Sequence, residues 1–230
     1  MAESIKDKVA IIGMSCTKFG ELWDKDISDL MTEAVYEALE DAGVEHDQIE
    51  AAWLGYVGGN ASTGLPLSQT VQFQYIPITH VENACGTGAE TIRGAAYGLA
   101  SKQYDLVMAV GFEKMKDAGF GGLGVAFPGK WWPLYGSGIE VGGGVGRYAL
   151  AATAYFRKWG MSREEGKRML SKISVKSHHN GARNPKAHLR REITLDQAIN
   201  APIIAWPLGL FDCSGIVDGG SAAVLCRTED

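Results

Sequence analysis

The chain has 230 residues, of which 46% are apolar and 21% are charged, and its net charge at neutral pH is −5. This composition is typical of a globular protein and excludes a disordered or membrane-spanning chain, and the length is sufficient for a large hydrophobic core without disulfides or metals. The acidic balance argues against nucleic acid as a partner.

Location and redox environment follow from the opening residues and the cysteines. The opening MAESIKDK is followed by no apolar run of signal-peptide length, and no stretch reaches the ~18 uninterrupted apolar residues of a membrane-spanning helix. We therefore predict a cytoplasmic protein. The four cysteines have neither CxxC spacing nor neighbouring histidine pairs, so neither a zinc site nor a disulfide framework is predicted. They are Cys16, Cys85, Cys213 and Cys226.

Strand and helix patterns alternate in the first half of the chain. The first strand, KVAIIG, is a continuous apolar run, as expected for a strand buried on both faces of a sheet. Apolar residues then fall at helical spacing from Ile27 to Leu39, with Asp26 or Ser28 as the cap and Gly43 as the stop. Further strands are predicted over 51–57, 79–84 and 105–111, and further helices over 68–75 and 86–103. This alternation predicts an α/β fold with a mostly parallel sheet and right-handed crossovers.

The alternation stops after residue 115. Residues 116–142 are rich in glycine and contain GKWWPLYGSG, two long helical patterns follow, and a sheet strand returns only near Val217. Because so long a connection is usually functional, we interpret it as an insertion between two strands of one sheet. The predicted division is an N-terminal core over 1–115, a mainly helical loop domain over 116–195 and a return to the core over 196–230.

Cys85 lies in VENACGTGAETIRGAA, where the third strand gives way to a helix. A helix N-terminus carries about half a positive charge and unpaired N–H groups, which favour a thiolate and can bind an oxyanion. Gly86 and Gly88 leave the approach open and allow the backbone angles of a tight strand-to-helix turn. A small buried hydrophobic residue explains the cysteine equally well, so both interpretations stay open on these residues alone.

A resemblance to a known family decides between them. VENACGTGAETIRGAAYGLASKQYDLVMAVGFEKM resembles the nucleophile strand, helix and following strand of the thiolase superfamily, and is most similar to the sterol-carrier-protein type. KVAIIGMSCTKFG, SVKSHHNGARNPKAHLRREITLDQAI and LFDCSGIVDGGSAAVL resemble further segments of that family's N-terminal half in the same order. The resemblance implies a layered thiolase-like fold, and it makes Cys85 the acyl-accepting nucleophile.

The other cysteines and the nearest histidine are weaker candidates. Cys16 and Cys226 are expected to pack in the core, and packing is also favoured for Cys213. His80 precedes Cys85 by five positions, an odd separation that would put the two on opposite faces of a strand, so it is a poor base for that thiol.

Positive charges and histidines after the second long helical pattern are the candidates for binding coenzyme A. His178 and His179 lie where histidine commonly contacts terminal helix carbonyls, whereas the resemblance implies that this segment borders the acyl-CoA pocket. His179, Arg183 and Lys186 are predicted to contact CoA or its acyl group, and a solvated face explains the charges equally well. We expect CoA as a co-substrate, with no permanently bound cofactor and no metal.

The resemblance covers only the first of two similar halves in the family. It places the activating histidine, the Asn or His that holds the thioester oxygen and the second cysteine in the other half. We therefore expect either a fragment of a longer thiolase or one subunit of a split enzyme. A homo-oligomer or a hetero-oligomer is expected, because a half-enzyme exposes a sheet edge and a core face.

The leading functional hypothesis is a thiolase that cleaves or forms 3-oxoacyl-CoA through an acyl group on Cys85. One alternative is a retro-aldolase that cleaves 3-hydroxyacyl-CoA side chains with a small OB-fold partner. Another is a catalytically silent scaffold that binds acyl-CoA. The aromatic GKWWPLYGSG segment either lines a pocket for a bulky acyl group or only packs the loop domain.

Overall fold

The computed structural model describes residues 4–57, 63–118 and 143–229. The aromatic GKWWPLYGSG segment lies outside these residues. The chain divides into two compact units, one formed by Met1–Gly124 with Ile216–Asp230 and the other by Val125–Gly215. Among the described residues, no helix has the length and apolar character needed to cross a membrane.

The first unit contains a five-stranded sheet flanked by helices. Its strands are β1 (Val9–Cys16), β2 (Ala51–Gly55), β3 (Ile78–Val81), β4 (Leu106–Glu113) and β7 (Gly219–Arg227). Its helices are α1 (Ile27–Ala42), α2 (Leu65–Val71) and α3 (Thr87–Ala100). Single 3-10 turns follow at His46–Gln48, Ala84–Gly86 and Lys116–Ala118.

The strand order is β1-β7-β4-β2-β3. Strand β2 runs parallel to both β3 and β4, whereas β7 runs antiparallel to β4 and to β1. The predicted α/β class is therefore confirmed. The sheet is mostly parallel as predicted, since β1, β2, β3 and β4 point the same way and β7 runs in the opposite direction between β1 and β4.

The first helix forms where the sequence predicts it. The Asp26 side chain accepts hydrogen bonds from the backbone N–H groups of Ser28 and Asp29, and the Asp29 carboxylate accepts one in return from the Asp26 N–H. Gly43 ends the helix in the left-handed region, with φ of 67°. Asp26, not Ser28, is therefore the cap, and the apolar face between these ends is buried against the sheet.

The prediction that β1 is buried on both faces is wrong. Ile11 is 48% exposed and Met14 is 61% exposed, and the strand lies at the sheet edge with β7 as its one neighbour. Only the face of Gly13 is closely covered, since a Cβ there would lie 2.5 Å from the Ala42 nitrogen of α1. A continuous apolar run shows that a strand is suited to burial, whereas the elements packed around it determine whether burial occurs.

Helix α3 approaches β2 closely because glycine and small residues meet there. A Cβ on Gly55 would lie 2.5 Å from the Thr91 hydroxyl, and one on Gly94 would lie 2.6 Å from the Trp53 ring. Ala95 and Leu99 of α3 are fully buried against the same face of the sheet. This packing fixes the position of the helix that follows Cys85.

The second unit is mainly helical. It contains α4 (Gly143–Lys158), α5 (Arg163–Arg183) and α6 (Leu195–Ile199), and the two short strands β5 (Ile203–Ala205) and β6 (Leu208–Gly209), which the sequence patterns do not predict. A 3-10 turn at Leu210–Asp212 follows. Ser162 caps α5 by accepting a hydrogen bond from the Glu165 N–H.

Residues 184–215, which follow α5, belong to this second unit in the structure. Helix α6 and the 3-10 turn at Leu210–Asp212 both pack against α5. The structure thus groups 196–215 with the helices, whereas the sequence assigns them to the returning core. The division predicted at residues 115 and 195 stays a prediction.

Candidate functional site

The sheet of the first unit brings several polar residues to one edge. Strands β3, β2 and β4 are parallel, so their carboxyl ends share this edge, and β7 begins there because it is antiparallel to β4. Cys85 follows β3, Lys114 follows β4 and Asp218 precedes β7. Open α/β sheets bind ligands outside the carboxyl ends of their parallel strands, and this edge is therefore the candidate site.

Cys85 lies in the 3-10 turn between β3 and α3, and its side chain is exposed. The unusual backbone angle belongs to Ala84, which has φ of 45° although it is not glycine. Gly86 has φ of −91°, so the prediction that this glycine supplies a special backbone angle is wrong. A left-handed angle at a non-glycine residue costs about 1–3 kcal/mol and is often found at functional sites.

Hydrogen bonds hold the turn around Cys85. The Thr87 hydroxyl accepts from the Asn83 N–H at 2.9 Å and donates to the Ala84 carbonyl at 2.7 Å. The Ala84 N–H donates to the Glu82 carboxylate at 2.6 Å, and the Gly86 N–H donates to the Asn83 carbonyl at 2.9 Å. These contacts are made on both sides of the cysteine, so they orient it and offset the backbone strain at Ala84.

The surroundings of Cys85 leave it accessible. A Cβ on Gly88 would meet no atom within 4 Å, and no side chain caps the first turn of α3. The Thr87 N–H donates to the Ala84 carbonyl, and the helix N–H groups that follow it are suited to a developing negative charge. Within the described part of the chain, the site therefore combines an exposed thiol with nearby helix N–H groups.

The other three cysteines are half-buried rather than fully buried in a core. Cys213 follows Asp212, and burial together with the charge of that carboxylate raises the pKa of the thiol above its ordinary value. Cys16 and Cys226 lie on the paired strands β1 and β7. Cys85 is the one cysteine of the four whose side chain is exposed.

His80 contacts the neighbouring strand end. Its Nε2 lies 3.1 Å from the Tyr56 carbonyl oxygen, and its ring lies 4.4 Å from the Tyr56 ring. The Tyr56 ring stacks in turn on Phe112 at 4.8 Å. These aromatic contacts join the ends of β3, β2 and β4, so His80 is part of the packing that supports the strand leading to Cys85.

An ion pair at the same edge involves residues that the sequence analysis missed. The Asp218 carboxylate, fully buried, accepts hydrogen bonds from the Lys114 amine at 2.9 Å, the Lys116 N–H at 2.8 Å and the Leu22 N–H at 3.2 Å. The Lys114 amine also donates to Asp117 at 2.7 Å. The loops after β1 and β4 are thereby joined to the start of β7. In the sequence, the acidic DGG segment is the one signal that indicates this ion pair.

These contacts shift the pKa values of the pair. Burial alone would raise the pKa of Asp218, but the hydrogen bonds from Lys116 and Lys114 outweigh it and hold the pKa below its ordinary value. Burial would likewise lower the pKa of Lys114, but the hydrogen bonds to Asp117 and Asp218 outweigh it and raise that pKa. Both groups are therefore charged at neutral pH.

The residues predicted to contact CoA lie at the end of α5 and in the loop after it. The Arg183 guanidinium donates to Glu192 at 2.7 Å, and His179 Nδ1 lies 3.2 Å from the same carboxylate. The hydrogen bond from Arg183 lowers the pKa of Glu192. His178 contacts the Arg191 carbonyl at 3.0 Å rather than a terminal carbonyl of its own helix. The structure brings His179 and Arg183 together, and the Lys186 N–H instead bonds to the Asn184 side chain.

A buried ion pair supports a groove in the second unit. The Asp212 carboxylate accepts hydrogen bonds from the Lys167 amine at 2.5 Å and from the Ser174 hydroxyl at 2.6 Å. Burial would raise the pKa of Asp212, but these bonds lower it. The groove has a volume of about 320 Å³, and its lining includes His178 and Cys213. In the three described ranges, no cluster of His, Cys, Asp or Glu is suited to hold a metal.

Comparisons with known proteins identify the family. Residues 9–122 match the family model described as the thiolase N-terminal domain. Over 96% of its length, the chain is 36% identical to an acetyl-CoA acetyltransferase of Methanothermobacter thermautotrophicus. The chain belongs to the thiolase superfamily. Sterol carrier protein 2 of Bos taurus is 29% identical over 96% of the chain, which confirms the predicted resemblance to the sterol-carrier-protein type.

The thiolase-like fold is also confirmed by solved structures. The chain superposes on a structure described as the Ltp2-ChsH2(DUF35) aldolase with a TM-score of 0.79, at 24% identity and over 98% of its length. The chain spans 57% of that aldolase chain, 57% of the acetyltransferase and 42% of the sterol carrier protein. It therefore spans about half the length of the thiolase relatives that it matches.

Proposed function

We propose that this chain supplies the nucleophile half of a thiolase-type acyltransferase, with Cys85 as the residue that accepts the acyl group. The observation that carries the proposal is the exposed Cys85 thiol in the hydrogen-bonded turn before α3. That the chain is 36% identical to an acetyl-CoA acetyltransferase supports the reaction class.

The proposed reaction consists of two acyl transfers, a carbon–carbon cleavage that forms a thioester on Cys85 and a thioester exchange with CoA. In the first, the Cys85 sulfur attacks the C3 carbonyl carbon of a 3-oxoacyl-CoA, and the bond between C2 and C3 breaks. The electron pair of that bond goes to C2 of the departing acyl-CoA, which takes up a proton. In the second, the sulfur of free CoA attacks the acyl thioester and releases Cys85. The N–H groups at the start of α3 are suited to the negative oxygen formed in each attack.

A complete site needs acid and base groups in addition to Cys85. His80, which lies on the strand that leads to Cys85, is engaged by the Tyr56 carbonyl and ring. We propose that the remaining groups are supplied by a second half, either in the same polypeptide or in a partner subunit. The cytoplasm stays the proposed location, and CoA stays the proposed co-substrate.

We further propose that His179, Arg183 and Lys186 contact CoA. Arg183 and His179 share the exposed Glu192 carboxylate, so they are held together without being buried. A phosphate group could replace that carboxylate, since both accept paired hydrogen bonds from a guanidinium. Lys186 follows in the same loop.

The test is the mass of the acyl adduct in the complete enzyme, meaning this chain together with its second half. With 3-oxoacyl-CoA, the wild-type protein should gain one acyl group on Cys85. Cys85→Ser should fold and bind acyl-CoA but form no adduct at neutral pH, because a hydroxyl is a far weaker nucleophile than a thiol. Cys226→Ser is the matched control and should keep the adduct. Undiminished thiolytic turnover by Cys85→Ser would overturn the proposal.

A retro-aldolase is the second candidate, and the superposition on the Ltp2-ChsH2(DUF35) aldolase favours it, with a TM-score of 0.79. On this alternative, the chain cleaves 3-hydroxyacyl-CoA side chains together with a small CoA-holding partner. Such a reaction needs no acyl-cysteine, so Cys85→Ser should retain activity toward 3-hydroxyacyl-CoA. Loss of that activity on alkylation of Cys85, with substrate binding retained, would exclude this second candidate.

A further inference from the structure

Charge is divided unequally between the two parts of the chain. Residues 143–215 contain twelve Lys and Arg residues against five Asp and Glu residues, although the whole chain has a net charge of −5. The remaining residues contain ten basic and twenty-two acidic residues. A chain with large regions of opposite charge is suited to electrostatic association with a second copy of itself.

The positive charges form a row on α5, here called the basic ridge. Its members are exposed and are spaced by four, four and three residues, which places them on one face of a helix. They are Arg168, Lys172, Lys176 and His179. His179 contacts Glu192, but no carboxylate in the described ranges pairs with the first three. Like charges four residues apart repel each other weakly, so a negatively charged surface placed against the row would stabilise it.

The negative charges form a matching row on α1, here called the acidic ridge. Its members have the same spacing of four, four and three residues. They are Asp29, Glu33, Glu37 and Glu40. Glu33 forms an ion pair with Lys25 and is half-buried, while the other three are exposed. The two ridges therefore carry opposite charges at the same intervals along their helices.

Each ridge also lies beside exposed apolar surface. A groove of about 440 Å³ adjoins the basic ridge, and its lining includes Trp159, Met161 and Met169. On the acidic ridge, Tyr36 is 50% exposed and directly precedes Glu37. An aromatic side chain of this kind is suited to an apolar groove, and contacts between aromatic residues and methionine are favourable.

We propose that Arg168, Lys172 and Lys176 of the basic ridge in one copy of this chain bind the acidic ridge of a second copy, with Tyr36 of the second copy in the groove beside Trp159. Another copy is the occupant favoured by the structure, because it presents the complementary charges at the matching spacing. Exposed ion pairs contribute little individually, so the contact is a weak, salt-dependent one that adds to any stronger interface. The proposal does not depend on the acyltransfer reaction.

This contact is tested by carbodiimide coupling. The sample is a 1:1 mixture of ¹⁴N-labelled and ¹⁵N-labelled protein. The reagent joins a lysine amine directly to a carboxylate, and peptides of mixed isotope arise only between copies. We expect Lys172 or Lys176 to couple to Glu37 or Glu40 in mixed-isotope peptides. The pairs should decline as the salt concentration rises from about 0.1 M to about 1 M, because the screening length falls from about 10 Å to about 3 Å. The exposed pair Lys102 and Glu229, 3.1 Å apart, is the positive control, because its coupling shows that the reagent is active.

Charge reversal gives the decisive comparison. K172E/K176E and E37K/E40K should each lose these mixed-isotope pairs when measured alone, because each variant leaves charges of one sign, and no amine–carboxylate pair, at the substituted positions. Mixing the two variants should restore coupling, because the carboxylates introduced on α5 of one variant then face the amines introduced on α1 of the other. R190E/R191E makes the same change in charge elsewhere in the second unit and should keep the pairs.

Three results would overturn the proposal. The first is that coupled peptides from α1 and α5 always carry a single isotope. The second is that no such peptides form although Lys102 and Glu229 couple. The third is that coupling does not return when the two charge-reversed variants are mixed. Far-UV circular dichroism of each variant shows whether it is folded, and the substituted side chains are all exposed.

Discussion

Cys85 should be the first of the four cysteines to react with iodoacetamide. Its side chain is exposed, whereas Cys16, Cys213 and Cys226 are half-buried. Burial and the Asp212 carboxylate also raise the pKa of Cys213, which lowers its reactive thiolate fraction at neutral pH. Mass spectrometry after brief labelling should therefore find most of the label on Cys85. Equal early labelling of Cys213 would contradict the assignment.

Asp218 should contribute more to stability than any surface carboxylate of the first unit. Asp218→Asn removes the charge that pairs with the nearly buried Lys114 amine. Removing one partner of a buried pair typically costs about 3–5 kcal/mol, because the other charge is left uncompensated. Urea denaturation should show a loss of this size. Asp117→Asn, which affects the exposed partner of the same lysine, should cost less than about 1 kcal/mol.

The pH dependence of stability should reflect the same pair. The pKa of Asp218 is lowered in the folded protein, so its contribution is present above the ordinary aspartate pKa and is lost as the pH falls through the lowered value. The pKa of Lys114 is raised, so its contribution is complete below the ordinary lysine pKa and is lost only as the pH rises through the raised value. The stability difference between wild type and Asp218→Asn should therefore be constant from about pH 5 to pH 9 and shrink in acid.

At the scale of elements, the sequence predicted well those structural features that depend only on residues close by in the chain. The cap and stop of α1 follow from Asp26 and Gly43, which act within a few residues of their own position. The exposure of β1 could not be predicted, because it depends on which elements cover Ile11 and Met14. The backbone angle at Ala84 was also missed, since glycine is the usual residue with a positive φ and two glycines follow Cys85.

The contact between α3 and β2 should tolerate no added methyl group at Gly55. A Cβ there would lie 2.5 Å from the Thr91 hydroxyl and 2.8 Å from the Thr87 methyl carbon. Gly55→Ala should therefore displace the helix that begins after Cys85 and destabilise the protein by about 1–3 kcal/mol. Urea denaturation measures the loss, and the Cys85 alkylation rate reports the displacement.

Gly88→Ala is the matched control on the same helix. The added Cβ would meet no atom within 4 Å, so no packing strain is expected. Alanine is favoured over glycine inside a helix by up to about 1 kcal/mol, so this variant should be as stable as wild type or more stable. A similar loss of stability in both variants would show that close packing at Gly55 is not the cause.

At the scale of the whole molecule, the sequence predicted the class of the fold and the position of Cys85. The interactions between distant segments could not be predicted in the same way. Lys114 and Asp218 are 104 positions apart, and neither has a pattern around it that indicates its partner. Lys167 and Asp212 likewise meet only because α5 packs against the 3-10 turn that contains Asp212. Such pairs depend on the complete fold, whereas a helix cap depends on one turn.

Binding of acyl-CoA should protect the second unit from hydrogen exchange in the complete enzyme. The unit has an excess of basic residues, and the predicted CoA contacts His179, Arg183 and Lys186 lie at the end of α5 and just beyond it. Ordering of these side chains by the phosphates should slow exchange over residues 176–192. Pantetheine, which lacks the nucleotide phosphates, should protect this range less than CoA does.

A charge substitution sharpens this last prediction. Arg183→Ala with Lys186→Ala should weaken CoA binding by about tenfold, equivalent to a loss of ~1.4 kcal/mol, while pantetheine binding should change little. Arg147→Ala removes an exposed charge from α4 and should leave both affinities unchanged. The phosphate-dependent difference is the informative result, because a structural defect would weaken both ligands alike. Protection confined to residues 4–57, or equal losses for CoA and pantetheine, would place the CoA contacts elsewhere on the molecule.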